Sequence, residues 1–205
     1  MPAKKSVKAP DLSTEEKIKE AARNVFTRKG YAATRTRDIA EEAGINLALL
    51  NYYFRSKEKL FEQVMLEKMQ TFFGTLAPIL NDKSTSLETK TERLVEQYID
   101  MLILDPNMPL FVLSEVQKNL MHIKEKTNIR SFLMQSSFIR QLKEKRSDLD
   151  PFHFVFSIMG MTVIPFILRP GFVALNMMKE TEFTRMMTER KKLIPLWIKT
   201  IINTR

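Results

Sequence analysis

Asn51 and Tyr52 stand on the same short segment as Leu47 and Ala48, with Arg35, Thr36 and Arg37 before it and Lys57 just after. Gathered so closely, these residue types suit one chemistry. A side-chain amide bonds an adenine edge bidentately, and small apolar groups such as Ala and Leu touch thymine methyls. A phenol hydroxyl or a basic side chain bonds phosphate. Covalent chemistry is not signalled: no nucleophile stands by a base, no glycine-rich loop cradles phosphate, and no carboxylate pair is set in an apolar run. The chain has no cysteine, which excludes disulfides, thiol nucleophiles and cysteine metal sites. His122 and His153 stand alone, without an acidic or second-histidine pattern, so no metal or other cofactor is expected.

The elements that position these groups read as short helices. Ser13 caps a first helix with Glu16 three residues on, Ile18, Ala21, Ala22, Val25 and Phe26 follow at helical spacing, and Lys29-Gly30 ends it. A second helix runs over about 37–43, with Thr36 as N-cap and Asp38 in its positive first turn. Gly44 is the turn. Asn46 caps a third helix reaching about Phe54, and Ser56 caps a fourth, with Glu58 in its first turn, that runs towards Phe73.

On the third helix, at about 100° per residue, Leu47, Ala48, Asn51 and Tyr52 share one arc of about 140°, with Leu49, Leu50 and Tyr53 opposite. The second face is expected to pack on Ile18, Val25, Ile39 and Ala43, leaving the first for a partner. Taken singly, the tyrosines fit the edge of a core and the arginines fit a solvated turn. The combination of capped helix, Gly turn, second helix with small and polar outward residues, and a basic capped helix points to a helix-turn-helix on double-stranded DNA.

The formal net charge of +9 favours a polyanionic partner. The excess is uneven: residues 1–59 hold 13 Lys and Arg against 8 Asp and Glu, whereas residues 60–205 hold 20 against 16. The N-terminal part is therefore the anion-binding part. Residues 1–12, with Lys4, Lys5, Lys8 and two prolines, read as a flexible basic arm that either touches phosphate or is idle.

Residues 74–86, with Pro78 and a Ser/Thr cluster, read as a linker. Helical stretches follow at about 87–104, 108–123, 127–147, 151–168 and 180–203, and no segment alternates strictly. The fold class is all-α, with about nine helices. The domains expected are the arm, a head over 13–60 and a helical domain over 61–205. Residues 152–168 are apolar but about one turn short of the ~20 residues a bilayer needs, and they read as a buried helix. No signal peptide opens the chain, so a cytoplasmic protein without a membrane partner is expected.

Most of the 13 Met and 14 Phe lie in the C-terminal part, as plain core or as the lining of a lipophilic pocket. On the pocket reading the lining is Phe111, Met121, Phe132, Phe138, Phe154, Met159 and Phe166. The last two helices are the expected homodimer surface: 151–168 is apolar nearly all round, and Phe183, Met187, Ile194, Trp197, Ile198 and Ile201 repeat at helical spacing.

Gly30-Tyr31, Thr36-Arg37-Asp38-Ile39-Ala40, Ala43-Gly44-Ile45, Leu50, Tyr53-Phe54 and Ser56-Lys57-Glu58-Lys59-Leu60 closely resemble the signature of the tetracycline-repressor (TetR) family, over roughly residues 13–66. The resemblance implies a DNA-binding head, a helical ligand and dimerisation domain, and repression relieved by a small molecule. By position it implies DNA contacts from Thr36, Arg37, Ala48, Asn51, Tyr52, Tyr53 and Lys57. The family commonly has an aromatic where Asn51 stands and a polar residue where Leu47 or Leu49 stands, so this chain's operator is its own. The expected function is a dimeric transcriptional repressor, not an enzyme, released from a palindromic operator by an apolar effector. Its rivals are a helical membrane-associated protein and a helical enzyme or carrier for an apolar molecule.

Overall fold

The computed structural model describes residues 13–110, 112–113 and 129–204. The basic arm, Phe111, Met121 and His122 lie outside them. The described residues contain no strand. They form α1 (Thr14–Ala33), α2 (Thr36–Glu42), α3 (Leu47–Tyr53), α4 (Lys57–Asn81), α5 (Leu87–Leu104), α6 (Ile129–Met134), α7 (Ser137–Lys145), α8 (Pro151–Ala174) and α9 (Glu180–Asn203), with further helical residues at 108–110 and 112–113. The chain divides into two compact units, one through Gln70 and one from Thr71. The division falls inside α4, later than the boundary at residue 60 that the sequence suggests.

Side-chain caps set most helix starts. Ser13 accepts from the Glu16 N–H at 3.3 Å, Ser86 from Thr89 at 3.2 Å, and Asp150 from Phe152 at 2.7 Å ahead of Pro151. Each satisfies a donor that the first helical turn leaves open.

Several expectations need correction. The segment 74–86 is not all linker: α4 continues through Gly74 and Pro78 to Asn81. Leu76 and Leu80 are buried there, and their burial outweighs the helical hydrogen bond that Pro78 cannot donate. The stretch 127–147 is two helices, because Ser136 donates to the Leu133 carbonyl at 2.6 Å and accepts from the Ile139 N–H at 3.3 Å, ending one helix and capping the next.

α8 does not end at residue 168, before Arg169-Pro170-Gly171. It runs to Ala174, and the turn comes at Asn176, whose φ is 54°. Nor is α8 buried: only 22% of its most apolar window is covered. It is long and apolar enough to cross a membrane, a property that the apolar helix of a soluble protein can share. Two i, i+4 rows run along its opposite sides. Phe154, Ile158, Thr162 and Phe166 are buried, whereas Phe152, Phe156, Ile164 and Leu168 are exposed.

The core of the second unit brings α5, α8 and α9 together, with α7 beside them. Leu94, Ile99 and Leu102 of α5 meet Phe183, Met187, Ile194 and Ile198 of α9. Those four α9 residues, expected at a dimer surface, are therefore interior to their own subunit, and Ile201 is half-buried. The row they occupy faces α5, so the outward apolar residues of α9 are Leu193, Leu196 and Trp197.

Candidate nucleic-acid interface

The first unit builds its face from an interior of fully buried Ile18, Ala22, Val25, Phe26 and Ile39. Tyr31 and Phe61 close it, with ring centroids 4.7 Å apart and the Phe26 ring edge-on to Phe61 at 4.9 Å. Lys19 and Arg23 of α1 both reach Glu67 of α4, at 2.8 and 2.9 Å, and Lys19 also pairs with Glu16. The Glu16 hydrogen bond, then that of Glu67, raises the pKa of Lys19 above its usual value, so the clamp stays charged at neutral pH.

Gly30 has φ 72° and ψ 163°, breaking α1 where a side chain would be strained. Helix α2 begins one residue earlier than the sequence suggests. Its N-cap is Arg35, whose N–H is accepted by Asp38 at 2.9 Å, so Thr36 is the first helical residue and does not cap. That N–H, with Lys29 at 3.2 Å, holds the Asp38 carboxyl below its usual pKa. Arg28 pairs with Glu42 at 2.9 Å, tying α2 to α1 a second time.

The turn to α3 is closed by the N–H of Ala43 on the Ile39 carbonyl (2.9 Å) and of Ile45 on Ala40 (3.0 Å), with Gly44 at φ 66°. Asn46 caps α3 by accepting the Leu49 N–H at 2.8 Å. Leu50 and Phe54 are buried at 1% and 3% exposure, anchoring α3 from beneath. Ala48 and Asn51 are exposed, and Tyr52 is 80% exposed.

The expected open face is thus present, with two adjustments. Leu47 is half-buried. Tyr53 does not join the packed face: it is 41% exposed, with its ring edge-on to Tyr52 at 5.4 Å. Phe54, one residue on and out of the helix at φ −127°, takes the inward place. Arg37 and Arg55 are exposed and make no ion pair among the described residues; Thr36 is half-buried. Lys57, by contrast, turns its ammonium onto the carbonyls of Tyr31, near the end of α1, and Thr34, just before α2, an arrangement that its place in the sequence did not signal.

The proposed lining residues scatter. Phe138, Phe154 and Phe166 are solid core, with Phe138 on Phe154 at 5.7 Å and Phe166 edge-on to Phe183 at 5.2 Å. Met159 is 43% exposed on the outside of α8. Among the described lining residues only Phe132 joins a half-open group: it meets Phe73 at 5.7 Å, Phe73 meets Phe72, and Phe72 meets Tyr98 at 5.2 Å. The Tyr98 phenol makes no hydrogen bond among the described residues, and burial alone pushes its pKa up to about 12. A separate recess of about 350 Å³ between α5 and α9 is lined by Lys191, Lys192, Lys199, Glu88 and Glu92 among others, and by none of the expected aromatic residues.

A Gly-turned pair of short helices, the second with an open polar face on a buried anchor, defines a helix-turn-helix DNA-binding regulator. Residues 18–64 match the family described as bacterial regulatory proteins, tetR family. The "Probable HTH-type transcriptional regulator YttP" of Bacillus subtilis (strain 168) is 30% identical over 206 residues, covering 94% of this chain and 96% of that protein. The chain belongs to the TetR family of transcriptional regulators. A second relative, the HTH-type transcriptional repressor KstR2 of Mycolicibacterium smegmatis, is 34% identical over 88 residues, 40% of this chain and 43% of its own. Among solved structures, the ketosteroid transcriptional regulator KstR2 of Mycobacterium tuberculosis shares the fold, with a TM-score of 0.68 at 20% identity over 91% of this chain and 96% of that one. So does the fatty acid degradation regulator FadR of Bacillus halodurans, with a TM-score of 0.65 at 21% identity over 90% and 96%.

Proposed function

We propose that this regulator is a cytoplasmic homodimeric repressor that reads a palindromic operator with α3 and leaves it when an apolar small molecule binds its helical domain. The observation that carries the reading is the division of α3, with Leu50 and the following Phe54 buried beneath and Ala48, Asn51 and Tyr52 open above. Asn51 is the base reader, Ala48 allows close approach, and Tyr52, Tyr53, Thr36 and Arg37 serve phosphate and register. Two copies double the few base pairs that one helix can read. The exposed row Phe152, Phe156, Ile164 and Leu168 of α8, with Leu193, Leu196 and Trp197 of α9, supports pairing through these helices.

The half-open ring group Phe72, Phe73, Tyr98 and Phe132 supports an effector with an apolar body and an acceptor oxygen for the Tyr98 hydroxyl. Proteins of the same fold include a ketosteroid regulator and a FadR from Bacillus subtilis in complex with stearoyl-CoA, both consistent with that chemistry. The other reading, a membrane-associated protein, rests on the length and apolarity of α8, and it requires the chain to pellet with membranes.

The test is selection of bound DNA from a random pool. A recovered palindrome is expected, and Asn51→Ala is expected to lose ~1–3 kcal/mol of discrimination between the selected and a scrambled site. Tyr52→Phe is expected to weaken both sites alike. Unchanged discrimination in Asn51→Ala removes the base-reading role; recovery of no common sequence removes the DNA reading.

A further inference from the structure

Lys57 begins α4 beside the reading helices, where a lysine would ordinarily be taken for a phosphate contact. Its ammonium is already committed. Nζ donates to the main-chain carbonyls of Tyr31 at 3.1 Å and Thr34 at 3.0 Å, and it lies 4.2 Å from the centre of the Tyr31 ring. An ammonium has three donors, so two are spent on carbonyls. Such charge-assisted bonds are among the stronger ones in a protein, and the aromatic face adds to them. Reaching a phosphate would cost Lys57 both bonds and strip two carbonyls of their donor.

Those carbonyls belong to the short stretch between the break in α1 and Thr36, the first residue of α2. The rest of that stretch is tied as well. The Thr34 hydroxyl donates to the Gly30 carbonyl at 2.7 Å, and Thr34 itself is buried. The Tyr31 hydroxyl donates to Glu58, the residue after Lys57, at 2.8 Å. That bond follows only Glu58's own N–H among the causes holding the Glu58 carboxyl below its usual pKa. The Arg35 N–H is held by Asp38. The start of α4 and the start of α2 are therefore joined through one loop, with Lys57 as the joint.

We propose that Lys57 is a positioning residue for DNA binding: through the carbonyls of Tyr31 and Thr34 it fixes the loop that sets Thr36 and Arg37 against the duplex, and it does not neutralise a phosphate. This rests on the DNA reading of α2 and α3. Every phosphate neutralised contributes about 0.9 to the slope of log affinity against log salt, so a positioning lysine and a phosphate-binding lysine leave different traces.

The experiment uses the full chain and its selected palindrome. Lys57→Met is expected to weaken binding on the order of tenfold, a loss comparable with one charge-assisted hydrogen bond. The salt slope is expected to stay at the wild-type value, and the amides of residues 32–38 to exchange faster in the free protein. Thr34→Val frees the same loop without touching a charge, and it is expected to act in the same direction with the same slope. The two changes together are expected to cost less than their sum, because they release one loop. A slope lowered by about 0.9 per subunit in Lys57→Met overturns the proposal in favour of a phosphate contact. Unchanged exchange over 32–38 overturns it too. If Lys57→Met does not fold, an unaltered affinity in Thr34→Val is decisive against it. Failure of the wild-type chain to bind any selected DNA would instead sink the reading of the head, and this role with it.

Discussion

The guanidinium of Arg190 in α9 donates to the main-chain carbonyl of Met161 in α8, from Nε at 3.3 Å and Nη2 at 2.8 Å. Met161 needs that donor because Pro165, four residues on, has no N–H to return. Pro165 of α8 and the arginine of α9 thus act together at one carbonyl, and the Arg190 guanidinium lies 5.2 Å from the centre of the Trp197 ring. Burial holds the Arg190 pKa below its usual value.

Arg190→Leu is accordingly expected to destabilise the fold by ~1.5–3 kcal/mol, the range for a hydrogen bond to a charged group. Pro165→Ala restores an intrahelical partner to Met161. In that background the Arg190→Leu cost is expected to shrink by ~1 kcal/mol or more. Denaturant unfolding of the four proteins at equal concentration measures the coupling. Strictly additive costs would mean that Arg190 acts through something other than the Met161 carbonyl.

The two sides of the last helices separate folding from assembly. Met187 is fully buried in the subunit core, so Met187→Ala is expected to cost ~2–5 kcal/mol at any protein concentration. Phe156 is 65% exposed on the outer row of α8, so Phe156→Glu is expected to leave a folded chain that sediments as a monomer and binds the palindrome poorly. Sedimentation velocity at micromolar concentration, with circular dichroism as the check on folding, distinguishes them. A Phe156→Glu chain that remains a dimer would place the interface elsewhere.

Periodicity and capping make much of the fold legible from the residues. The helices at 87–104 and 180–203 and the cap at Asn46 stand where their residues predict, because amphipathic spacing and a short polar cap are local signals. The differences occur where tertiary contacts override local rules. Pro78 and Pro170 read as stops, yet each sits inside a helix; Pro165 also lies inside α8, where the carbonyl it frees finds Arg190. Ile194 and Ile198 turn inward for a related reason: they have the right period for a buried face, but period alone does not say which neighbour buries it. In the head, the exposure of Asn51 and Tyr52 is legible from helical phase alone. Lys57 is not, since its carbonyl partners lie 26 and 23 residues away in sequence.

Tyr98 links the effector reading to a property that is measurable without the effector. Burial alone raises its phenol pKa to about 12 from the ordinary 10.0, and no hydrogen bond among the described residues is lost when the hydroxyl is removed. Tyr98→Phe is therefore expected to change stability near neutral pH by less than ~1 kcal/mol, in either direction. The alkaline limb is expected to differ. The folded wild-type chain keeps a proton between about pH 10 and pH 12 that the unfolded chain has released. That contribution is fully present below pH 10 and falls as pH rises through the window. Tyr98→Phe is expected to lose less stability over the same range, and the difference absorption spectrum of the two proteins to show a phenolate only near the upper end. For the effector, a steroid bearing a ketone and its deoxygenated counterpart form a suitable pair of probes, compared by calorimetric titration. The ketone is expected to bind wild type about tenfold more tightly than its counterpart, and Tyr98→Phe to erase the preference. A clear loss of neutral-pH stability in Tyr98→Phe would mean that the hydroxyl serves the fold, and equal binding of both probes by wild type would remove Tyr98 from the effector site.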